Sequence, residues 1–267
     1  MSIASEISAP PNRPWGMSLA ATAVFAATVG YTIYSCGEMT GGMEMPGGWV
    51  MSMMWMPMSG QSNLAAAGMF IAMWTAMMIA MMLPSAMPMI LLYRRVMTFH
   101  RATLPGLRCG IMITGYFFVW AAFGAVTFIV GTLLARVEMS SPALSRQIPA
   151  IAGFCLILCG IYQWTPWKAS CLKHCRDPLS LVAGHLHGGW RSSLALGLHH
   201  GLTCAICCWS LMVIQAVLGM MNLFVMTGIA LVITVEKMLP GGRLVARTVG
   251  TIAAASGVVF LARGSGF

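Results

Sequence analysis

The chain has 267 residues, of which 58% are hydrophobic and only 8% are charged, whereas a soluble domain carries roughly a quarter charged residues. So few charges cannot cover a water-soluble protein of this length, and the apolar residues come in long blocks, several of them reaching the length of about 20 residues that crosses a bilayer as a helix. The formal net charge of +9 does not point to nucleic acid, because the basic residues fall between apolar blocks and not along one helical face.

Residues 1–16 are polar, contain Pro10, Pro11 and Pro14, and read as a disordered cytoplasmic arm. The first apolar block, 17–36, is followed by no small-residue cleavage pattern, so it reads as a retained membrane helix and not a signal peptide. Blocks at 64–93, 108–135, 148–166, 192–219, 222–238 and 244–263 bring the spans to seven. Pro84 and Pro88 remove backbone donors from the 64–93 block and predict a kink or break near its inner end. The 192–238 stretch is too long for one crossing and is divided at Gly219 to Asn222.

Orientation follows from Lys and Arg. With the N-terminus inside, Arg13, Arg94, Arg95, Arg101, Arg108, Lys168, Lys173, Arg176, Arg191, Lys237, Arg243 and Arg247 are cytoplasmic, twelve of the fifteen. Only Arg136, Arg146 and Arg263 fall outside, as the positive-inside rule requires. The expected fold is therefore all-α: a polytopic membrane helix bundle of about seven transmembrane helices, N-terminus inside and C-terminus outside. A single transmembrane domain over 17–263 leaves no segment for a soluble domain.

Four features carry candidate chemistry. The first is the outer loop 37–63, which holds Met39, Met43, Met45, Met51, Met53, Met54, Met56 and Met58 with Trp49, Trp55 and several glycines, and no Lys or Arg. Thioethers are soft, neutral donors that suit Cu(I) in an oxidising compartment where thiols would be lost. The plainer reading is an apolar loop that hugs the membrane and uses Met as filler, but Leu would serve as well and the loop has none before Leu64. The second is the helix that follows, where Met69, Met73, Met77 and Met81 recur every fourth residue, with Met78 and Met82 nearly opposite. Packing explains part of that set, and a thioether relay along Met69, Met73 and Met77 is the functional reading.

The third is Gly197-Leu-His-His-Gly201-Leu-Thr-Cys204-Ala-Ile-Cys207-Cys208-Trp209. At about 100° per residue, His200, Cys204, Cys207 and Cys208 share one arc of about 100°, spread over about 12 Å of helix. Gly197 and Gly201 form a small-xxx-small pattern that lets a neighbouring helix approach closely. A lone membrane cysteine usually packs, but four N and S donors on one face form a candidate metal site. Cys155 and Cys159, one turn apart on the fourth span, can face those thiols. The fourth is the Cys/His inner loop 167–191 with Cys171, His174 and Cys175, then His185 and His187. Cys-x2-His-Cys is compact enough to ligate but too short to specify a metal; an interfacial turn with Lys168, Lys173 and Arg176 at lipid headgroups is the competing reading.

Nine cysteines in a secreted chain would suggest disulfides. Most of these lie in apolar blocks or on the cytoplasmic side, where thiols stay reduced. Glu236 is the only acid within the expected spans, next to Lys237; snorkelling to the interface is its simplest account, and a proton-coupling role is the alternative. With no carboxylate placed as a buried base, hydrolase or acyl-transfer chemistry is disfavoured, and no nucleotide-binding loop is present.

Met77-Met-Ile-Ala-Met-Met-Leu-Pro84-Ser-Ala-Met-Pro88, Tyr162-Gln-Trp-Thr-Pro-Trp-Lys168 with Cys171, Cys175 and Arg176, and Gly201-Leu-Thr-Cys-Ala-Ile-Cys-Cys-Trp209 occur in that order. Over roughly residues 60–260 the chain resembles a bacterial family of uncharacterised predicted metal-binding integral membrane proteins. The resemblance implies metal binding and a location in the bacterial inner membrane, without a substrate, direction or mechanism.

The expected function is to bind, and move or deliver, a soft transition metal. Cu(I) is preferred; another transition metal, or haem through His199 and His200, is the alternative. Metal would pass from Met51, Met53, Met54, Met56 and Met58 along Met69, Met73 and Met77 to His200, Cys204, Cys207 and Cys208, with Cys171, His174 and Cys175 as the inner terminus. Two other classes stand beside transport: a non-transporting metallochaperone or assembly factor for a membrane metalloenzyme, and a thiol oxidoreductase using Cys204 and Cys207. Expected partners are membrane lipids, the metal ion, and a membrane protein or second copy of the chain.

Overall fold

A computed structural model describes residues 15–38, 42–45, 49–55, 60–185 and 189–264. The polar arm therefore lies almost wholly outside the described residues, as do Met39, Met56, Met58 and His187. In chain order the elements are α1 (Trp15–Glu38), β1 (Gly42–Met45), β2 (Trp49–Ser52), a 3-10 turn (Met53–Trp55), α2 (Asn63–Phe99), α3 (Pro105–Ser140), α4 (Pro142–Trp164), α5 (Pro166–Cys175), α6 (Pro178–Ala183), α7 (Trp190–Gly219), α8 (Leu223–Met238) and α9 (Gly242–Gly264).

Proline at the first helical position opens α3, α4, α5 and α6, where its missing N–H costs nothing and its fixed φ suits a helix. Ser62 Oγ caps α2 by accepting from Ala65 N at 3.2 Å. Thr165 Oγ1 caps α5 through Lys168 N at 3.3 Å. Asn222 Oδ1 caps α8 through Phe224 N and Val225 N at 3.0 and 3.2 Å. Pro84 and Pro88 do not break α2, which runs helical through both.

Among the described residues, six helices are long and apolar enough to cross a membrane: α1, α2, α3, α4, α7 and α9. The block at 222–238, expected as a seventh span, forms α8, but its 16 residues cover only about 24 Å against a hydrocarbon core of about 30 Å. The expectation of an all-α chain needs a second correction. The Met-rich loop folds into an antiparallel hairpin with Met43 opposite Met51 and Met45 opposite Trp49. Alternation along a strand puts those four side chains on one face. Met45 and Met51 are buried there against Ala135 of α3, with Trp49 and Trp55 packed on them, and Trp49 Nε1 donates to Ser145 O at 3.0 Å.

The main core runs through α2, α3, α7 and α8. Met73, Met77, Met78, Met81 and Met82 of α2 are all buried, so both sides of the methionine helix face protein. Helix α7 packs closely on α3 as Gly197 and Gly201 predict: a side chain at Gly197 would meet the Met112 carbonyl, and one at Gly201 the Tyr116 carbonyl. Helices α4 and α9 pair through Gly160 and Gly250, each against the other's backbone carbonyl.

Candidate metal centre

The close α3–α7 approach sets the site. Cys204, Cys207 and Cys208 are each 0% exposed and His200 is 8% exposed. Tyr116, one turn beyond Met112 on α3, reaches Cys204 with its hydroxyl 3.0 Å from Sγ. The His200 ring does not join the thiols directly; it stacks on Tyr116 with centroids 5.2 Å apart.

Three further helices close the site from below. The Tyr162 hydroxyl donates to Ile206 O at 3.0 Å, and Gln163 Nε2 donates to Ser210 Oγ at 3.3 Å. These two bonds fix the end of α4 on α7 and orient α5, which follows after Thr165. Lys168, on the first turn of α5, donates from Nζ to Cys207 O at 2.9 Å and pairs with Glu236 Oε2 at 2.8 Å. Both members of this pair are 1% exposed, and it is the only salt bridge among the described residues. Lys237 turns its ammonium inward and donates to Cys204 Sγ at 2.7 Å.

These contacts overturn three expectations. Lys168 and Lys237 are not headgroup-facing topology charges, because each finds a buried acceptor within the bundle. Glu236 does not snorkel; its Oε2 is held by Lys168, while Oε1 has no partner. A buried carboxylate therefore exists, but the ammonium occupies it.

The thiols form a run. Cys175 at the end of α5 interacts with Cys207, Cys207 with Cys208, and Cys208 with Cys204. All nine cysteines are free. The expected inner trio is divided: Cys175 joins this run, Cys171 is half-buried, and His174 is exposed with Nδ1 3.0 Å from its own helix at Ser170 O. His185 of the same inner segment instead approaches His199, with ring centroids 5.9 Å apart. Cys159 is buried and Cys155 half-buried on α4, and among the described residues neither bonds to the α7 thiols.

The thioether row meets the same helix higher up. Gln215 Nε2 of α7 lies 3.9 Å from Met77 Sδ, two turns from Cys208, or about 10 Å of rise. Met73 and Met77 are buried, but Met69 is 56% exposed and bonds Gln61 Nε2 at 2.9 Å. The drift of a four-residue repeat carries Met69 off the buried face, so the expected row loses its first member. Of the loop donors, Met51 and Met54 are buried, in separate clusters; Met53 lies in the 3-10 turn.

Among the described residues, no three His, Cys, Asp or Glu side chains are grouped to hold one ion. What the thiol run offers is pairwise sulfur, and soft sulfur in low coordination number is chemistry that favours Cu(I) over harder ions. The residues present fit that cargo by donor type: thiols on α5 and α7, thioethers on α2 and in the hairpin.

No curated protein and no solved structure matches the chain. Residues 71–260 match the PpoB2 family, described as copper chaperone. The matched segment takes in Met73, Met77, Tyr116, Lys168, Cys175, the α7 thiols, Glu236 and Lys237, and leaves the Met-rich hairpin outside it. A helical protein with six membrane-type helices, carrying buried soft donors, thus belongs to the PpoB2 copper-chaperone family, which implies copper binding.

Proposed function

We propose that this chain is an integral-membrane chaperone that holds Cu(I) between thiols of the Cys204–Cys208–Cys207–Cys175 run and hands it to a membrane metalloprotein. The observation that carries the reading is three fully buried thiols on one face of α7, with the Tyr116 hydroxyl 3.0 Å and the Lys237 ammonium 2.7 Å from Cys204 Sγ, and Cys175 of α5 beside Cys207. Thiolate sulfur retains Cu(I) more firmly than thioether sulfur, so metal captured by Met43, Met45, Met51 and Met54 of the outer segment moves downhill past Met73 and Met77 to the thiols. His200 backs Tyr116 against Cys204, and Cys171 with His174 lies on the helix that presents Cys175.

We read the chain as crossing seven times, N-terminus inside and C-terminus outside, in one transmembrane domain, with the 16-residue α8 as a short crossing beside the six long ones. Helix α8 starts beside the end of α7 and finishes at the level of Cys204, where Lys237 reaches it. That is also the level at which α4 ends, since Tyr162 bonds Ile206. Helix α8 therefore descends against α2, α9 and α7 to the level at which α4 ends.

The test is copper per protein after anaerobic Cu(I) loading and desalting, measured by elemental analysis with melting temperature as the folding control. Cys204→Ser and Cys207→Ser are expected to lose most of the bound copper. Cys109→Ser, a buried thiol at the start of α3 near Tyr93, is expected to keep it. Serine is close in size but is a hard, poorly ionised donor. Equal copper in all three variants refutes the site; copper retained with delivery lost points to thiol redox chemistry.

A further inference from the structure

A second site lies at the corner of α4, α5 and α9, on the side of α5 away from the thiols. A cavity of about 540 Å³ opens there, with Trp164, Thr165, Ser170, Lys173, Arg243 and Arg247 in its wall. Lys168 also contributes to the wall, but its charge is spent on Glu236. A shallower groove shares Lys173 and Arg243 and continues to Arg176 and Asp177. Arg176 donates to Pro240 O at 3.3 Å, and Asp177 accepts from Ser180 N as the cap of α6.

Lys173, Arg243 and Arg247 thus converge on one cavity with no carboxylate in ion-pair reach among the described residues. Arg247 is held in place, its guanidinium 5.3 Å from the centroid of the Trp164 ring. Asp177 in the adjoining groove caps α6 and pairs with none of them, so three cations gathered without a paired carboxylate repel one another, and a bound anion relieves that repulsion. Two hydroxyls, Thr165 and Ser170, stand in the same wall.

The level of the cavity identifies the anion's source. Trp164 is 54% exposed and Trp167 76% exposed, and amphipathic tryptophans collect at the headgroup layer of a membrane. Helix α4 ends and α9 begins at this level, so the cavity faces the boundary between hydrocarbon and water. Basic pockets between membrane helices on the basic side of a protein suit phospholipid headgroups. We propose that this cavity binds the headgroup phosphate of an anionic phospholipid, with Arg243, Arg247 and Lys173 as its ligands. The bound lipid fastens α5 to α9 from outside, as the Lys168–Glu236 pair fastens α5 to α8 from within. The proposal is independent of the copper reading.

The full chain, purified in detergent, is titrated with phosphatidylglycerol, phosphatidylcholine or inorganic phosphate. Melting temperature and lipid retained in native mass spectrometry are read together. Phosphatidylglycerol is expected to stabilise and be retained in preference to phosphatidylcholine, a comparison that needs no variant. Arg243→Gln and Arg247→Gln are each expected to weaken phosphatidylglycerol binding about fivefold, equivalent to about 1 kcal/mol for one basic residue at an anionic membrane surface. Arg95→Gln, an exposed basic residue on α2, is expected to leave it unchanged. Equal retention of both lipids, or equal loss in Arg95→Gln, overturns the site. Stabilisation by inorganic phosphate equal to that by phosphatidylglycerol overturns the lipid as its occupant.

Discussion

Replacing Lys168 with methionine keeps the length of the side chain and removes its charge. The consequence is set by what Lys168 leaves behind. Glu236 is 1% exposed, its Oε2 sits 2.8 Å from Nζ, and its Oε1 has no other partner to fall back on. The Cys207 carbonyl loses a donor at 2.9 Å in the same step. Breaking a buried pair from one side costs about 3–5 kcal/mol, because an uncompensated charge remains. For a chain of this size each kcal/mol moves the midpoint by roughly 2–4 °C, so Lys168→Met is expected to lower the melting temperature by roughly 6–20 °C.

Glu236→Leu is expected to cost a similar amount by stranding the ammonium. The double variant Lys168→Met with Glu236→Leu buries no charge from the pair, and such replacements are often neutral or stabilising by about 1–4 kcal/mol. It should recover most of the loss, a non-additivity that defines coupled neighbours. Intrinsic tryptophan fluorescence during thermal unfolding in detergent reads all three variants against Arg95→Gln. If the single variants melt like Arg95→Gln, or if the double variant loses the sum of the two, the pair is not the buried clamp described here. The double variant also separates structure from copper: it is expected to fold yet hold Cys175 less firmly on Cys207, lowering bound Cu(I) while the melting temperature stays near wild type.

Two further outcomes follow from topology and from the hairpin. Reporter fusions after Phe267 and within the Phe99–Pro105 turn should give opposite compartment signals; matching signals would leave α8 as a helix that does not cross and place both ends of the bundle on one side. Replacing Met43, Met45, Met51 and Met54 with leucine keeps apolar volume while removing soft donors, so folding should survive and copper uptake from dilute Cu(I) should fall; unchanged uptake in a competition assay against a Cu(I) chelator would reduce the hairpin to a membrane-contacting segment.

The α7 face was legible because a helix repeats: His200, Cys204, Cys207 and Cys208 fall on one arc from residue spacing alone, and Gly197 and Gly201 beside them mark where another backbone comes close. Spacing could not name that backbone's contribution. Tyr116 lies in an apolar run of α3 where nothing local distinguishes it from Phe117, and it meets Cys204 only after α3 and α7 pack. The division of Cys171, His174 and Cys175 was hidden for a related reason. Three candidate ligands within five residues look like one cluster in sequence, but on a helix adjacent positions diverge by about 100°. Cys175 turns to α7 and His174 to solvent.

The charged residues were the least legible, and the reason is physical. Counting Lys and Arg by loop assumes that each lies in water or among headgroups, which holds for most basic residues at helix ends. Lys168 and Lys237 satisfy the count and break the assumption, since both occupy helix ends that are themselves buried by α7. The sequence signal was present in Glu236, an acid inside the 222–238 apolar block, because a carboxylate buried there gains from a cation and the nearest in sequence was not the one it found. Lys237 is its neighbour along α8, but adjacent side chains on a helix point about 100° apart. One turns to Cys204 while Glu236 reaches Lys168, on a helix about seventy residues earlier in the chain. That divergence puts a cation on the side chain of Cys204 and another on the backbone of Cys207, at two of the four thiols proposed to carry copper. The ion pair and the thiol run are therefore one construction, and perturbing the charges is a way of reaching the copper site without touching a cysteine.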